Sequence, residues 1–155
     1  DVVINIKGDE PLLTGRELDD LCSAFEKNPG AEMATLARPI KTAEELENPT
    51  VAKIVLDQAG NALYFSRFAI PHSREKGAPW ASLKHVGFYG YKKGFLQKFC
   101  AQAPTEIEKA EGLEQLRALW LGAKIKVVVT ECDSWGVDTP EDVIRVEKIL
   151  KSKER

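Results

Sequence analysis

The 155 residues predict an α/β fold built on a mixed sheet, and three observations carry that expectation. Short β-branched apolar runs alternate along the chain with apolar stripes at helical spacing, the pattern of strands covered by helices. The first run, Val2 Val3 Ile4 Asn5 Ile6, leads into Lys7 Gly8 Asp9 Glu10 Pro11. That is how a buried parallel strand delivers an acidic loop to the carboxyl edge of a sheet, where open α/β sheets bind ligands. Two further runs, 51–56 and 62–66, are joined by Asp57 Gln58 Ala59 Gly60 Asn61. This is hairpin chemistry, and it breaks pure strand-helix-strand alternation.

The elements follow in order. Pro11 holds Glu10 in extended geometry, so no helix starts there. Adjacent carboxylates on such a loop suit a hard cation such as Mg²⁺, which takes oxygen ligands; the competing reading of Asp9 and Glu10 is a plain polar turn. From Gly15 to Lys27, Leu18, Leu21, Cys22 and Phe25 recur at helical spacing until Asn28 Pro29 Gly30. Residues 33–37 form a short apolar run stopped by Pro39, and Thr42 with Glu45 reads as a capping box for a brief helix. Residues 72–82 are polar, broken by Gly77 and Pro79, and read as a mobile loop. In 84–91, strand alternation puts His85, Gly87, Tyr89 and Tyr91 on one face and Val86, Phe88 and Gly90 on the other. Such a face could equally be an edge strand packed on a partner subunit. Residues 92–100 follow as a short helix with Phe95, Leu96 and Phe99 buried. Thr105 with Glu108 forms a capping box, and Leu113, Leu116 and Trp120 give a stripe closed by Gly122. Glu114 and Gln115 fall beside the stripe as a solvated face. The last apolar strand is 124–129. Thr139 Pro140 Glu141 Asp142 then starts a helix packed through Val143, Val146 and Leu150, with Asp138 just ahead of its N-terminus, where a carboxylate is favoured.

Lys plus Arg numbers 22 against 24 for Asp plus Glu, and no basic block occurs, which argues against a nucleic-acid or membrane-surface partner. Cys22, Cys100 and Cys132 lack the spacing of a zinc site or a disulfide framework and are expected to be reduced thiols of a cytoplasmic protein. The sequence has no initiator Met and opens one residue before a strand. It is therefore expected to be the C-terminal portion (1–155) of a single larger domain.

Six segments in register, VINIKGDEP, NPTVAKIVLD, ALYFSR with IP after it, KHVGFYGY, LEQLRAL and GVDTPED, resemble the 3-deoxy-manno-octulosonate (KDO) cytidylyltransferase family, CMP-KDO synthetases, over nearly the whole chain. The resemblance implies a dimeric, Rossmann-like nucleotidyltransferase with helices on both faces of its sheet, transferring CMP from CTP to KDO for lipopolysaccharide synthesis. It implies that Asp9 and Asp138 hold Mg²⁺ and carry catalysis. It further implies that Arg67, His85, Tyr89, Glu114 and Gln115 lie around the sugar, a guanidinium suiting the KDO carboxylate. Three departures stand out. The family's opening strand and its Gly- and Arg-containing CTP loop are absent, so no CTP residue is assigned. Lys7 replaces a usual Gln, and His72 follows Ile70 Pro71 where an aromatic residue is more usual. The rival readings are a cytidylyltransferase for another acidic sugar of the sialic-acid type, and an inactive sugar-binding or dimerising fragment.

Overall fold

A computed structural model describes residues 1–74, 82–131, 137 and 139–153. Among them the elements run β1 (Val2–Asn5), α1 (Gly15–Lys27), β2 (Met33–Pro39), α2 (Ala43–Glu47), β3 (Lys53–Leu56), β4 (Ala62–Ser66), β5 (Leu83–Lys92), α3 (Lys93–Ala101), α4 (Glu106–Glu111), α5 (Leu116–Trp120), β6 (Ile125–Val129) and α6 (Pro140–Lys153). The strands form one sheet in the order β4-β3-β5-β2-β6, with β1 also paired to β5. β1, β2, β3 and β6 run one way and β4 and β5 the other, so the sheet is mixed as expected.

β5 organises the sheet because β2 lines one of its edges while its other edge is divided. Leu83 and Lys84 pair with β3, and Tyr89 to Lys92 pair with β1. The short stretch between these partners is where the loop after β1 enters. A Cβ at Gly87 would stand 3.6 Å from Glu10 Oε1 and 4.0 Å from Lys7 Cδ. On the β2 side the register jumps at the same place, Thr35 opposing Tyr89 while Leu36 opposes Val86. A bulge of this kind re-aims side chains and is common beside functional sites.

The core has two layers, one on each face of the sheet. Leu21, Ala24 and Phe25 of α1 pack with Ala34, Leu36, Val86 and Phe88 on one face. Phe95, Phe99, Leu113 and Leu116 pack with Met33, Phe65, Tyr91 and Ile125 on the other. β2 alternates between the layers, which is why its apolar run is buried nearly throughout.

Several expectations are corrected. β1 is neither parallel to its hydrogen-bonded neighbour nor deeply buried: it pairs antiparallel with β5, and Val2 and Val3 are exposed. A β-branched run expresses a preference for a sheet, whereas the pairing partner is chosen by the rest of the chain. Cys22 faces solvent and Ala24 takes its place in the α1 stripe. The left-handed Gly112 (φ 61°) separates α4 from α5, and Trp120, at the end of a five-residue helix, is 66% exposed. On α6, Val146 is buried while Val143 and Leu150 are exposed. The Thr105–Glu108 box is complete, and Thr139 and Asp142 cap each other in the same way. The Thr42 box is half made: Thr42 accepts from Glu45 N–H, but the Glu45 carboxylate turns to Arg38, Lys84 and the Lys41 N–H. Part of the loop at 72–82, together with Cys132, lies outside the described residues.

Candidate functional site

The ends of β1, β2 and β6 share one edge of the sheet, and two backbone bonds tie their loops together. Thr130 N–H donates to Ala37 O, and Val137 N–H donates to Asp9 O, each at 2.8 Å. The acidic loop is thus joined to the segment leading into α6. Asp138, assigned with Asp9 by resemblance, lies outside the described residues. The Asp9 side chain is 40% exposed and Lys7 Nζ lies 3.7 Å from its Oδ2. The same ammonium lies 3.4 Å from Glu10 Oε1. Glu10 is buried, and its Oε2 has no hydrogen-bond partner among the described residues. An orphaned buried carboxylate oxygen costs about 1–3 kcal/mol, a penalty retained only where something offsets it.

His85 is the polar centre of β5. Its Nε2 lies 2.9 Å from Thr35 Oγ1 and its Nδ1 3.4 Å from Gln115 Nε2. The Thr35 hydroxyl donates its one hydrogen to Phe88 O at 2.8 Å, across the bulge. The network is satisfied when His85 Nε2–H donates to Thr35 Oγ1 and Nδ1 accepts from the Gln115 amide, a tautomer assigned from the bonding pattern. Burial, with a smaller contribution from the positive charge of Lys7, pushes the imidazole down to about 3. It is neutral at physiological pH, and its ring nitrogens are spent on orienting Thr35 and Gln115. Tyr89 stacks 5.4 Å from the imidazole, and burial, then Tyr91, Glu114 and Glu10, raises its phenol well above the ordinary range. The phenol is neutral at physiological pH. The expected shared face of His85 and Tyr89 is therefore present, filled out by Phe65 edge-on to the imidazole at 5.1 Å.

Gln115 and Glu114 part company. Gln115 is buried against His85, whereas the Glu114 side chain is 70% exposed and accepts from Arg117 at 3.2 Å. Arg67 sits at the end of β4, and its guanidinium donates to the carbonyls of Thr50 (3.0 Å), Glu111 (3.2 Å), Gly112 (3.2 Å) and Pro49 (3.4 Å). A fork-on-carboxylate pair with a sugar would require it to exchange some of these. Its backbone is gripped from both sides: Arg67 N–H donates to Glu111 Oε2 at 2.9 Å, and Lys53 Nζ donates to Arg67 O.

Sequence reasoning missed Thr35, Lys53 and Glu111. Lys53 is fully buried and also donates to Asn48 O and Val51 O. A lysine inside the run Val51 Ala52 Lys53 Ile54 Val55 Leu56 was the available signal, since lysine is rarely buried unless paired. Thr35 carried no sequence signal, because threonine is an ordinary strand residue.

No group of three or more His, Cys, Asp and Glu side chains among the described residues could hold a metal ion. What fits a hard cation is the donor chemistry at Asp9: an accessible carboxylate with a second carboxylate beside it that has an unsatisfied oxygen; the Lys7 ammonium at both opposes it.

The comparisons with known proteins define the class to which this mixed α/β sheet, with its acidic loop and polar strand face, belongs. The family model described as cytidylyltransferase matches residues 1–125, and the chain belongs to that family. It is 53% identical, over 99% of its length, to the 3-deoxy-manno-octulosonate cytidylyltransferase of Bdellovibrio bacteriovorus. It is 47% identical, over 100% of its length, to that of Anaeromyxobacter sp.. Among solved structures it superposes with a TM-score of 0.91 and 35% identity, over 99% of the chain, on CMP:2-keto-3-deoxy-manno-octonic acid synthetase complexed with CTP, of which it covers 63%. The chain spans 62–63% of the length of these relatives. No helix among the described residues is long and apolar enough to cross a membrane.

Proposed function

We propose that this chain is the KDO-side portion of a cytidylyltransferase that transfers CMP from CTP to KDO, releasing CMP-KDO and pyrophosphate for lipopolysaccharide synthesis in the cytoplasm. The observation that carries the reading is the meeting of the Asp9 loop and the His85–Tyr89 face at Gly87, in a chain 53% identical to a KDO cytidylyltransferase. Sialic-acid-type chemistry has no such support.

The anomeric hydroxyl of the sugar attacks the α-phosphorus of CTP in line, and the α–β phosphoanhydride bond breaks to free pyrophosphate. Positioning and charge stabilisation dominate such reactions. Neutral His85 neither gives nor takes the reacting proton at physiological pH; it fixes the Gln115 amide, and Tyr89 and Gln115 then present hydrogen bonds to sugar hydroxyls. Arg67 meets the sugar carboxylate by trading carbonyl partners, and Glu114 reaches in from the turn ahead of α5. Asp9 and Asp138 would hold magnesium, which would supply phosphate neutralisation and a more acidic attacking hydroxyl. Exposed Leu63, Phe68 and Trp120 support the homodimer that we also propose.

The test is pyrophosphate release with CTP, Mg²⁺ and either KDO or sialic acid, on the full reading frame and on residues 1–155. Turnover of KDO by the full frame is expected, and preference for sialic acid would overturn the assignment. If the short chain turns over as well, it holds the whole nucleotide site and the fragment reading fails. Asp9→Asn is expected to abolish turnover with the circular-dichroism spectrum unchanged; near-normal activity would remove Asp9 from the metal site.

A further inference from the structure

We propose that Lys7 competes with the divalent cation for the Asp9 carboxylate and yields it by moving wholly onto Glu10, so that this residue sets the metal affinity of the enzyme. The inference rests on the reading of Asp9 as a metal ligand. Lys7 Nζ lies between Asp9 Oδ2 (3.7 Å) and Glu10 Oε1 (3.4 Å), the only cation that the ion-pair geometry of the described residues puts on this loop. An ammonium within 4 Å of Asp9 and a divalent cation bound to it repel each other, so the two contacts are close to mutually exclusive.

The loop also contains the place to which Lys7 retreats. Glu10 is only 7% exposed, and its Oε2 is buried without a partner among the described residues, an acceptor that the ammonium gains by leaving Asp9. The lysine stem and the carboxylate already lie side by side over Gly87, where a Cβ would stand in ordinary van der Waals contact with both, 4.0 Å from Lys7 Cδ and 3.6 Å from Glu10 Oε1. The displaced ammonium then neutralises Glu10, which keeps a buried negative charge from being stranded when Asp9 is taken.

The experiment is Mn²⁺ binding to the full-length protein, followed by the electron paramagnetic resonance of free Mn²⁺, for the wild type, Lys7→Gln, Lys7→Met and Asp9→Asn. Both Lys7 variants are expected to bind roughly three- to tenfold more tightly than the wild type, the scale of one partly exposed charge interaction. Asp9→Asn is expected to lose the site. Unchanged affinity in both Lys7 variants, or no binding by any protein, overturns the proposal. A gain confined to Lys7→Gln also overturns it, since the new amide and not the lost charge would then be responsible. Binding undiminished in Asp9→Asn removes Asp9 as the ligand and takes the competition with it, an outcome distinct from failure of Lys7 alone.

Discussion

A histidine on a strand beside tyrosines invites a catalytic reading, and the environment of His85 decides against a proton-transfer role at neutral pH. The imidazole is buried, bonded at both nitrogens, and held at about 3 by desolvation and by Lys7. The unfolded chain takes up this proton near pH 6.5, so between about 6.5 and 3 the unfolded state binds more protons than the folded one. Stability is therefore full above about pH 6.5 and falls as pH drops, by about 2 kcal/mol at pH 5 from this residue alone. Urea unfolding at pH 6.5 and 5.0 should show that loss in the wild type and a shallower one in His85→Asn. Equal losses would mean that the folded imidazole is charged. Lys53 makes the complementary point: three carbonyls, of Asn48, Val51 and Arg67, absorb its ammonium. Lys53→Met leaves them unpaired and is expected to cost about 2–4 kcal/mol in urea unfolding, with the Arg67 turn loosened. A loss below 0.5 kcal/mol by that measurement would show that solvent replaces the ammonium. The residue type was legible in both cases, but the partners of His85, Thr35 and Gln115, are distant in sequence, and those of Lys53, though nearer, are backbone carbonyls that no residue type announces.

At the scale of elements, ends were easier to read than faces. The caps at Thr105 and Thr139 involve residues three apart, so sequence contains all of the information. The faces of α5 and α6 depended on where Gly112 broke the chain and on what covered each helix, and Trp120 and Leu150 ended outside. The crossing of α1 over β5 leaves no room for a side chain at Gly90. A Cβ at Gly90 would stand 2.7 Å from Phe25 Cε2 and 3.1 Å from Ile4 Cδ1. Gly90→Ala should thus destabilise by about 1–3 kcal/mol, and adding Phe25→Leu should recover part of the loss by making room. If the single variant unfolds at the wild-type urea midpoint, the ring yields freely and the contact is not a constraint.

In the whole molecule, Arg117 joins three helices into one layer over the sheet. Its guanidinium bonds the Glu108 carboxylate of α4 and Gln102 O at the end of α3, and lies 4.6 Å over the Phe99 ring. Arg117→Met strands Glu108 in a buried position and is expected to cost about 3–5 kcal/mol. A double variant with Glu108→Leu should be less damaged than the single one, and additive losses would rule out the pairing. What sequence determined by itself was what is local: the α/β pattern with its hairpin, the caps, the acidic loop at a strand end, and the His85–Tyr89 face. These follow from spacing along the chain, because side-chain direction alternates in a strand and recurs every 3.6 residues in a helix. The tertiary structure alone decided that β1 pairs antiparallel with β5, that the Arg67 guanidinium lies on four carbonyls, and that burial holds His85 neutral between Gln115 and Thr35. Each of those depends on a partner 30 or more residues away or on burial, and burial is a property of the assembled layers and not of any one segment.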